Sequence, residues 1–247
     1  FQMGGEGKID LPAIMITKAL GDTLKEQMKL GDALIDFQVE DKIETPEIVD
    51  TLTSFSSRGP RMNDSHLKPE IAAPGYNIIS ASMGGGTEGV QMSGTSMATP
   101  HMAGVLALMT EKFPKLTPLE LKSVVIATAK TMTDAKGKNY PIALQGSGRI
   151  QVDMAAAAKV IMTPSTLSLG EINLSTRKVI RKKIMVKNIS ETDLKLTPSF
   201  EISKELKIKT VEELVLKAGE ETEITLDITI SKPENNAASV EMDGRLL

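Results

Sequence analysis

Residues 11–17, Leu-Pro-Ala-Ile-Met-Ile-Thr, are a short apolar run and predict a buried strand. Thr17 then caps a helix over 18–30. Leu20, Leu24 and Met28 recur along it at i, i+4 and i+8 as an apolar stripe, and Gly31 suits its end. Residues 34–39 alternate and read as a second strand. From 44 to 92 the chain is rich in Ser, Gly and Pro, with short apolar pieces such as Ile78-Ile79, which predicts loops and short strands. Residues 96–113 are small and apolar. They predict a helix buried nearly all round, packed closely through Ala103, Gly104 and Ala107, with Pro100 tolerated near its first turn. Thr117-Pro118-Leu119-Glu120 combines a capping Thr, a Pro at the first helical position and a Glu three residues after the cap. That signature starts a helix running to about Lys130. Residues 146–161 give a turn and a short Ala-rich helix, with Asp153 as candidate cap.

After Pro164 the period changes from helical to alternating. Lys183-Ile184-Met185-Val186-Lys187 and residues 223–228 read as strands, with turns at Asn188-Ile189-Ser190 and Ala218-Gly219-Glu220. Several strands at this spacing predict a β-sandwich. No repeat of 20–50 residues is present.

Composition narrows the function classes. The 247 residues are 40% hydrophobic and 25% charged, the profile of a globular protein with a substantial core. The net charge is −3 and no Lys/Arg block stands out, which gives a nucleic-acid partner little support. No apolar run approaches the roughly 18 residues that span a bilayer. Cysteine is absent, so disulfides, thiolate metal sites and a Cys nucleophile are excluded. His66 and His101 are the only histidines, too few for a His-rich metal site. Aromatic residues are scarce, and some of the 14 Met are expected to fill core positions in their place. The N-terminus has no signal-peptide pattern. It begins with Phe rather than Met, so the chain reads as a piece of something longer.

The stretch that carries chemistry is Gly94-Thr95-Ser96-Met97-Ala98-Thr99-Pro100-His101. A Ser at the end of a Gly-containing loop, opening a helix, has an exposed hydroxyl among unpaired backbone N–H donors. The helix dipole favours negative charge there, so an oxyanion formed by attack of the Ser is stabilised. This suits a nucleophile in acyl transfer. The plainer reading of the same spacing makes Ser96 a helix cap.

The run Gly-Thr-Ser-Met-Ala-Thr-Pro-His-Met-Ala-Gly resembles the catalytic-serine motif of the subtilisin-like serine proteases, the subtilases. Residues 53–60 resemble the family's loop before the nucleophile. Lys68-Pro69-Glu70-Ile71-Ala72-Ala73-Pro74-Gly75 resembles the segment that follows, and Gly146-Ser147-Gly148-Arg149-Ile150 with Val152 and Asp153 resembles the end of the catalytic domain. The resemblance implies an α/β fold in three parts. Residues 1–45 would be part of a protease-associated domain, 46–162 the C-terminal part of a parallel-sheet catalytic domain, and 163–247 a fibronectin-III-like β-sandwich. It implies Ser96 as nucleophile, Met92 and Ser93 on the leaving-group side of the substrate, protein or peptide substrates, and a secreted or cell-surface location. Met92 and Ser93 fit an edge strand leading into the turn equally well.

The family works with Asp, His and Ser in that chain order, plus an Asn in the oxyanion hole. The segments that carry the Asp, His and Asn are absent from this sequence. His101, five residues after Ser96, would lie about 140° around and about 7.5 Å along the helix from it, and reads as a packed, hydrogen-bonded structural residue. His66 reads as a solvated loop residue. Gly84-Gly85-Gly86 reads as a loop tip, with no strand-turn-helix and Lys to make it a phosphate cradle. No cofactor or metal is assigned; Asp64 and Glu70 have no calcium-loop spacing, and calcium is left open. The expectation is a serine endopeptidase segment, inactive alone, whose partner is the remainder of the catalytic domain or another copy. The alternative is a non-catalytic interaction or adhesion module derived from a subtilase.

Overall fold

A computed structural model describes residues 17–31, 48–233 and 241–247. The chain divides into two compact units, Phe1–Thr45 and Pro46–Leu247. In the first unit the described element is helix α1, Lys18–Met28. Thr17 is extended and its hydroxyl accepts from the Leu20 N–H at 3.2 Å, satisfying one donor of the first turn. The expected stripe is in register, but Leu20 and Met28 stay exposed. Apart from Thr17, the strands expected over 11–17 and 34–39 lie outside the described residues.

In the second unit a hairpin of β1 (Ile78–Ala81) and β2 (Gly89–Met92) leads into α2 (Thr95–Lys112). Helix α3 (Pro118–Ala127), the short α4 (Ile142–Gln145) and α5 (Val152–Ala156) follow. The β-rich part begins at β3 (Val160–Thr163) and β4 (Arg177–Asn188), and continues through β5 (Leu194–Leu196), β6 (Phe200–Ile202), β7 (Leu206–Lys209), β8 (Leu214–Leu216), β9 (Glu221–Ser231) and β10 (Gly244–Leu246). Four strands form an antiparallel sheet in the order β3-β4-β9-β7, and β5–β8 and β6–β10 pair separately.

Two cores result. The first joins Val105 and Met109 of α2, Leu121, Val124 and Val125 of α3, Ile150, Ala155 and Ile161. The second lies in the β-rich part: Ile184 and Val186 of β4, Leu216 of β8 and the alternate residues Ile224, Leu226, Ile228 and Ile230 of β9. Period-2 burial along β9 is the alternation visible in the sequence.

Strand β3 serves both cores. Ile161 packs into the first, while Val160 and Met162 face the second. Its outer edge is closed by buried Ser123 of α3, whose hydroxyl donates to the Met162 carbonyl at 2.6 Å and accepts the Met162 N–H at 3.0 Å. One side chain thus satisfies both backbone groups of an edge residue. The position 162/163, expected as a domain boundary, falls inside β3.

Several local expectations are corrected. Only Val105 and Met109 of α2 are buried; Ala103, Gly104 and Ala107 are exposed, and Leu108 is 53% exposed. The physical reason is the missing cover. Among the described residues the only parallel pairing is the single bridge Ala72–Arg149, so no parallel sheet lies against that face of the helix. The fold is mixed α/β, with its sheets antiparallel. Helix α5 has Gln151 at its cap position, with Asp153 inside the first turn. The start of α3 is as expected, with both hydrogen bonds of the capping box formed, and the helix ends at Ala127.

The helical part and the β-rich part are tied by charge. Glu70 accepts from Lys122 at 2.6 Å, Lys68 at 2.5 Å and Thr166 at 2.9 Å. Lys187 of β4 meets Glu120 of α3 at 2.6 Å. Burial pushes the Glu70 carboxyl up, but the hydrogen bonds from Lys122, Lys68 and Thr166 outweigh it and bring it from its ordinary 4.5 to about 2. A depressed carboxyl stabilises the fold above its unfolded value, and that contribution is lost as pH falls through the folded one. Glu70→Gln is therefore expected to lower stability by about 1–3 kcal/mol at neutral pH. In thermal melts against pH, the gap to wild type closes between pH 4.5 and about 2.

Candidate active site

Helix α2 starts because the chain turns sharply at Gly94. Its N–H donates to the Gly75 carbonyl at 2.8 Å, and its own carbonyl accepts from Met97 N–H at 3.0 Å. Gly75 has to be Gly for steric reasons: a Cβ there would stand 2.7 Å from the Gly94 oxygen and 3.2 Å from the Ala98 Cβ. A second tie lies one residue upstream. The Ser93 hydroxyl accepts the Asn77 N–H at 2.8 Å and meets the Asn77 side-chain oxygen at 3.3 Å. Asn77 has a φ of 53°, a conformation Asn tolerates better than most residues. From the sequence Gly75 entered only as the last residue of the Lys68–Gly75 segment, and Asn77 was not singled out; its only local signal is an Asn two residues after that Gly.

Gly94 is the N-cap and offers no side-chain cap. Ser96 is therefore the second helical residue, which overturns the reading of it as a cap. Its side chain is exposed and its hydroxyl has no hydrogen-bond partner among the described residues. The N–H groups of Thr95 and Ser96 likewise have no acceptor there. No acidic residue occupies the first turn, so the positive end of the helix dipole is not neutralised locally. Pro100 is the sixth helical residue, beyond the first turn; the N–H it lacks is the one that would have bonded the Ser96 carbonyl. A free hydroxyl beside unpaired N–H donors can attack a carbonyl and stabilise the resulting oxyanion.

Among the described residues no titratable side chain is hydrogen-bonded to the Ser96 hydroxyl. His101 lies on the same helix, exposed and without a side-chain hydrogen bond among the described residues, so its expected packed role is not found. The same uncovered helix face explains this. His66 is exposed in the 61–66 loop, as expected. Asp64 is engaged by Arg61, whose hydrogen bond holds its carboxyl well below the usual range, and Glu70 is held by its two lysines. Both carboxylates considered for calcium are thus occupied by cationic side chains.

Met92 ends β2 opposite Ile78 and is half exposed, while the Ser93 hydroxyl is committed to Asn77. The Gly84-Gly85-Gly86 tip joins the two strands, with Gly84 and Gly86 at φ of 73° and 63°. Beside α2 runs a groove of about 690 Å³, lined by Thr95, Ala98, Met102 and Leu106 on one wall and by Phe55 and Ile71 on the other. Gly94 and Thr95 reach it.

A serine thus stands exposed at the mouth of an uncapped helix whose start is held by a Gly-Gly contact. Residues 44–148 match the Subtilase family. Through this segment the chain is similar to the subtilases. The minor extracellular protease Vpr of Bacillus subtilis is 31% identical over 170 residues, 66% of this chain and 20% of that protein. Subtilisin-like protease SBT3.16 of Arabidopsis thaliana is 46% identical over 101 residues, 40% of this chain and 13% of that protein. Subtilisin-like protease SBT4.14 of the same plant is 32% identical over 172 residues, 64% of this chain and 22% of that protein. The chain therefore spans between 13% and 22% of these relatives' own length.

Gly75→Ala is expected to push residues 94–98 outward and to lower stability by about 1–3 kcal/mol. Hydrogen–deuterium exchange should quicken at Gly94 and Met97, whose bonds depend on that approach.

Proposed function

We propose that this chain is part of a subtilisin-like serine endopeptidase, in which Ser96 attacks the scissile carbonyl. The observation that carries the reading is the unpartnered Ser96 hydroxyl at the uncapped mouth of α2, inside the segment that matches the family. The Ser96 Oγ forms the bond to the carbonyl carbon. The developing oxyanion is met by the backbone N–H groups at the helix mouth. The Ser proton passes to an imidazole outside these 247 residues, since His66 and His101 are both unsuited to take it. Met92, with Ser93 beside it, lines the side of the leaving group. The remainder of the catalytic domain, or a second copy, covers α2 and the groove at Ile71. The location is secreted or at the cell surface, in keeping with the relative named as extracellular. Among the described residues no helix is long and apolar enough to cross a membrane.

The flanking parts are read from the same resemblance. The N-terminal unit is part of a protease-associated domain, and the two-sided β core of 163–247 is a fibronectin-III-like module. The alternative, a non-catalytic interaction or adhesion module, draws on the absence of a base near Ser96.

The chain alone is expected to show little or no turnover of a peptide substrate and only slow labelling by a fluorophosphonate. Joined to a segment bearing the Asp and His motifs it should turn over substrate, and Ser96→Ala should abolish that. Strong turnover by the chain alone, retained in His101→Ala and His66→Ala, would count against the mechanism. Persistent inactivity of the joined protein would favour the interaction module.

A further inference from the structure

The β3-β4-β9-β7 sheet has one face on the second core, and the other face is divided. Near β3 the outer face is covered: Ile161 packs into the first core, and Lys187 reaches Glu120 of α3. The rest is open. The register places Arg177, Val179, Arg181 and Lys183 of β4 on this open face, opposite Ser231, Thr229, Asp227 and Thr225 of β9. Lys207 and Lys209 of β7 extend the same rows, opposite Thr229 and Asp227. All five basic side chains are exposed.

Two of these cations are matched. Arg181 forms a forked pair with Asp227, at 2.7 and 3.1 Å, and Lys183 meets Glu223 at 2.6 Å. At the start of β7, Glu205 is mostly buried and faces Lys204 at 4.0 Å. Arg177, Lys207 and Lys209 make no ion pair among the described residues. The open face is therefore cationic on a chain whose net charge is −3. Alternate positions on one strand stand about 6.6–6.8 Å apart and neighbouring strands about 4.8 Å, so the charges recur in rows on either side of β9.

We infer that this face binds an anionic polysaccharide. Charge complementarity calls for a polyanion, since among the described residues Arg177, Lys207 and Lys209 form no ion pair, Lys209 only facing the Asp227 already held by Arg181. The hydroxyls of Thr225, Thr229 and Ser231 alternate with the charges and suit hydrogen bonding to sugar hydroxyls and ring substituents. A single-stranded nucleic acid fits less well: the face carries no aromatic side chain on which a base could stack. The surface does not involve Ser96 and stands independently of any protease activity.

The test uses the full chain, with heparin as the sulfated probe, polygalacturonate as the carboxylate probe and an oligothymidylate of equal charge as the nucleic-acid arm. Wild type is expected to bind both polysaccharides more tightly than the oligonucleotide at about 50 mM salt, with affinity falling linearly in log–log against salt. The variant Arg177→Ser/Lys207→Thr/Lys209→Thr should bind at least about tenfold more weakly, and its salt slope should drop by about three, one for each charge removed. Lys112→Thr/Lys136→Thr/Lys138→Thr, which removes the same charge elsewhere, should retain wild-type affinity. Equal losses in both variants, no binding by wild type, or tighter binding of the oligonucleotide would each overturn the inference. Cross-linking of bound polysaccharide to wild type should fall on β4 and β7; cross-links confined to α2 would overturn it even if the triple variant failed to fold.

Discussion

The contact on which the site depends is the approach of two glycine backbones. Gly94 donates to Gly75, and the absence of a side chain at Gly75 lets the start of α2 lie against the preceding loop. Everything chemical about Ser96 follows from that. Gly94 at the N-cap has no side chain to offer, so the helix mouth keeps its N–H groups unpaired and its dipole unneutralised. The clasp between Ser93 and Asn77 reinforces the turn from the hairpin side. The arrangement costs helix stability at its first turn, and what it produces is a hydroxyl in a field that favours negative charge.

Features that depend on neighbours in sequence were the ones legible in it. The capping box of Thr117 and Glu120 and the cap of Thr17 are local hydrogen-bond patterns and formed as read. The alternation of β9 encodes which side is buried, and the structure buries that side. The start of α2 at the Gly94–Ser96 turn was legible because a Gly ahead of a small, apolar run marks a helix opening. Glu70 was opaque for the opposite reason. Its partners Lys122 and Thr166 lie 52 and 96 positions away, so a structural ion-pair hub looked like a free carboxylate. The environment of α2 was misread because small apolar residues say a helix is meant to be covered, not that the cover is within the same stretch of chain. His101 follows the helix it stands on.

Charge does different work in different places. Around Glu70 the two lysines and the carboxylate are mutually satisfied and partly shielded from water, and the Thr166 hydroxyl on Glu70 and the Lys187–Glu120 pair link the helices to the β-rich part. On the outer sheet face the pairs are exposed and contribute little to stability, which leaves the remaining cations available for other roles.

Strand β3 is held at once by a backbone ladder to β4 and by one serine of α3, with a side chain in each of two cores. The seam between the two parts is thus a shared beam rather than a hinge. Any rearrangement that exchanged the C-terminal module for another would have to carry β3 and a matching hydroxyl at position 123 along with it, so the two parts are constrained to be inherited as one piece.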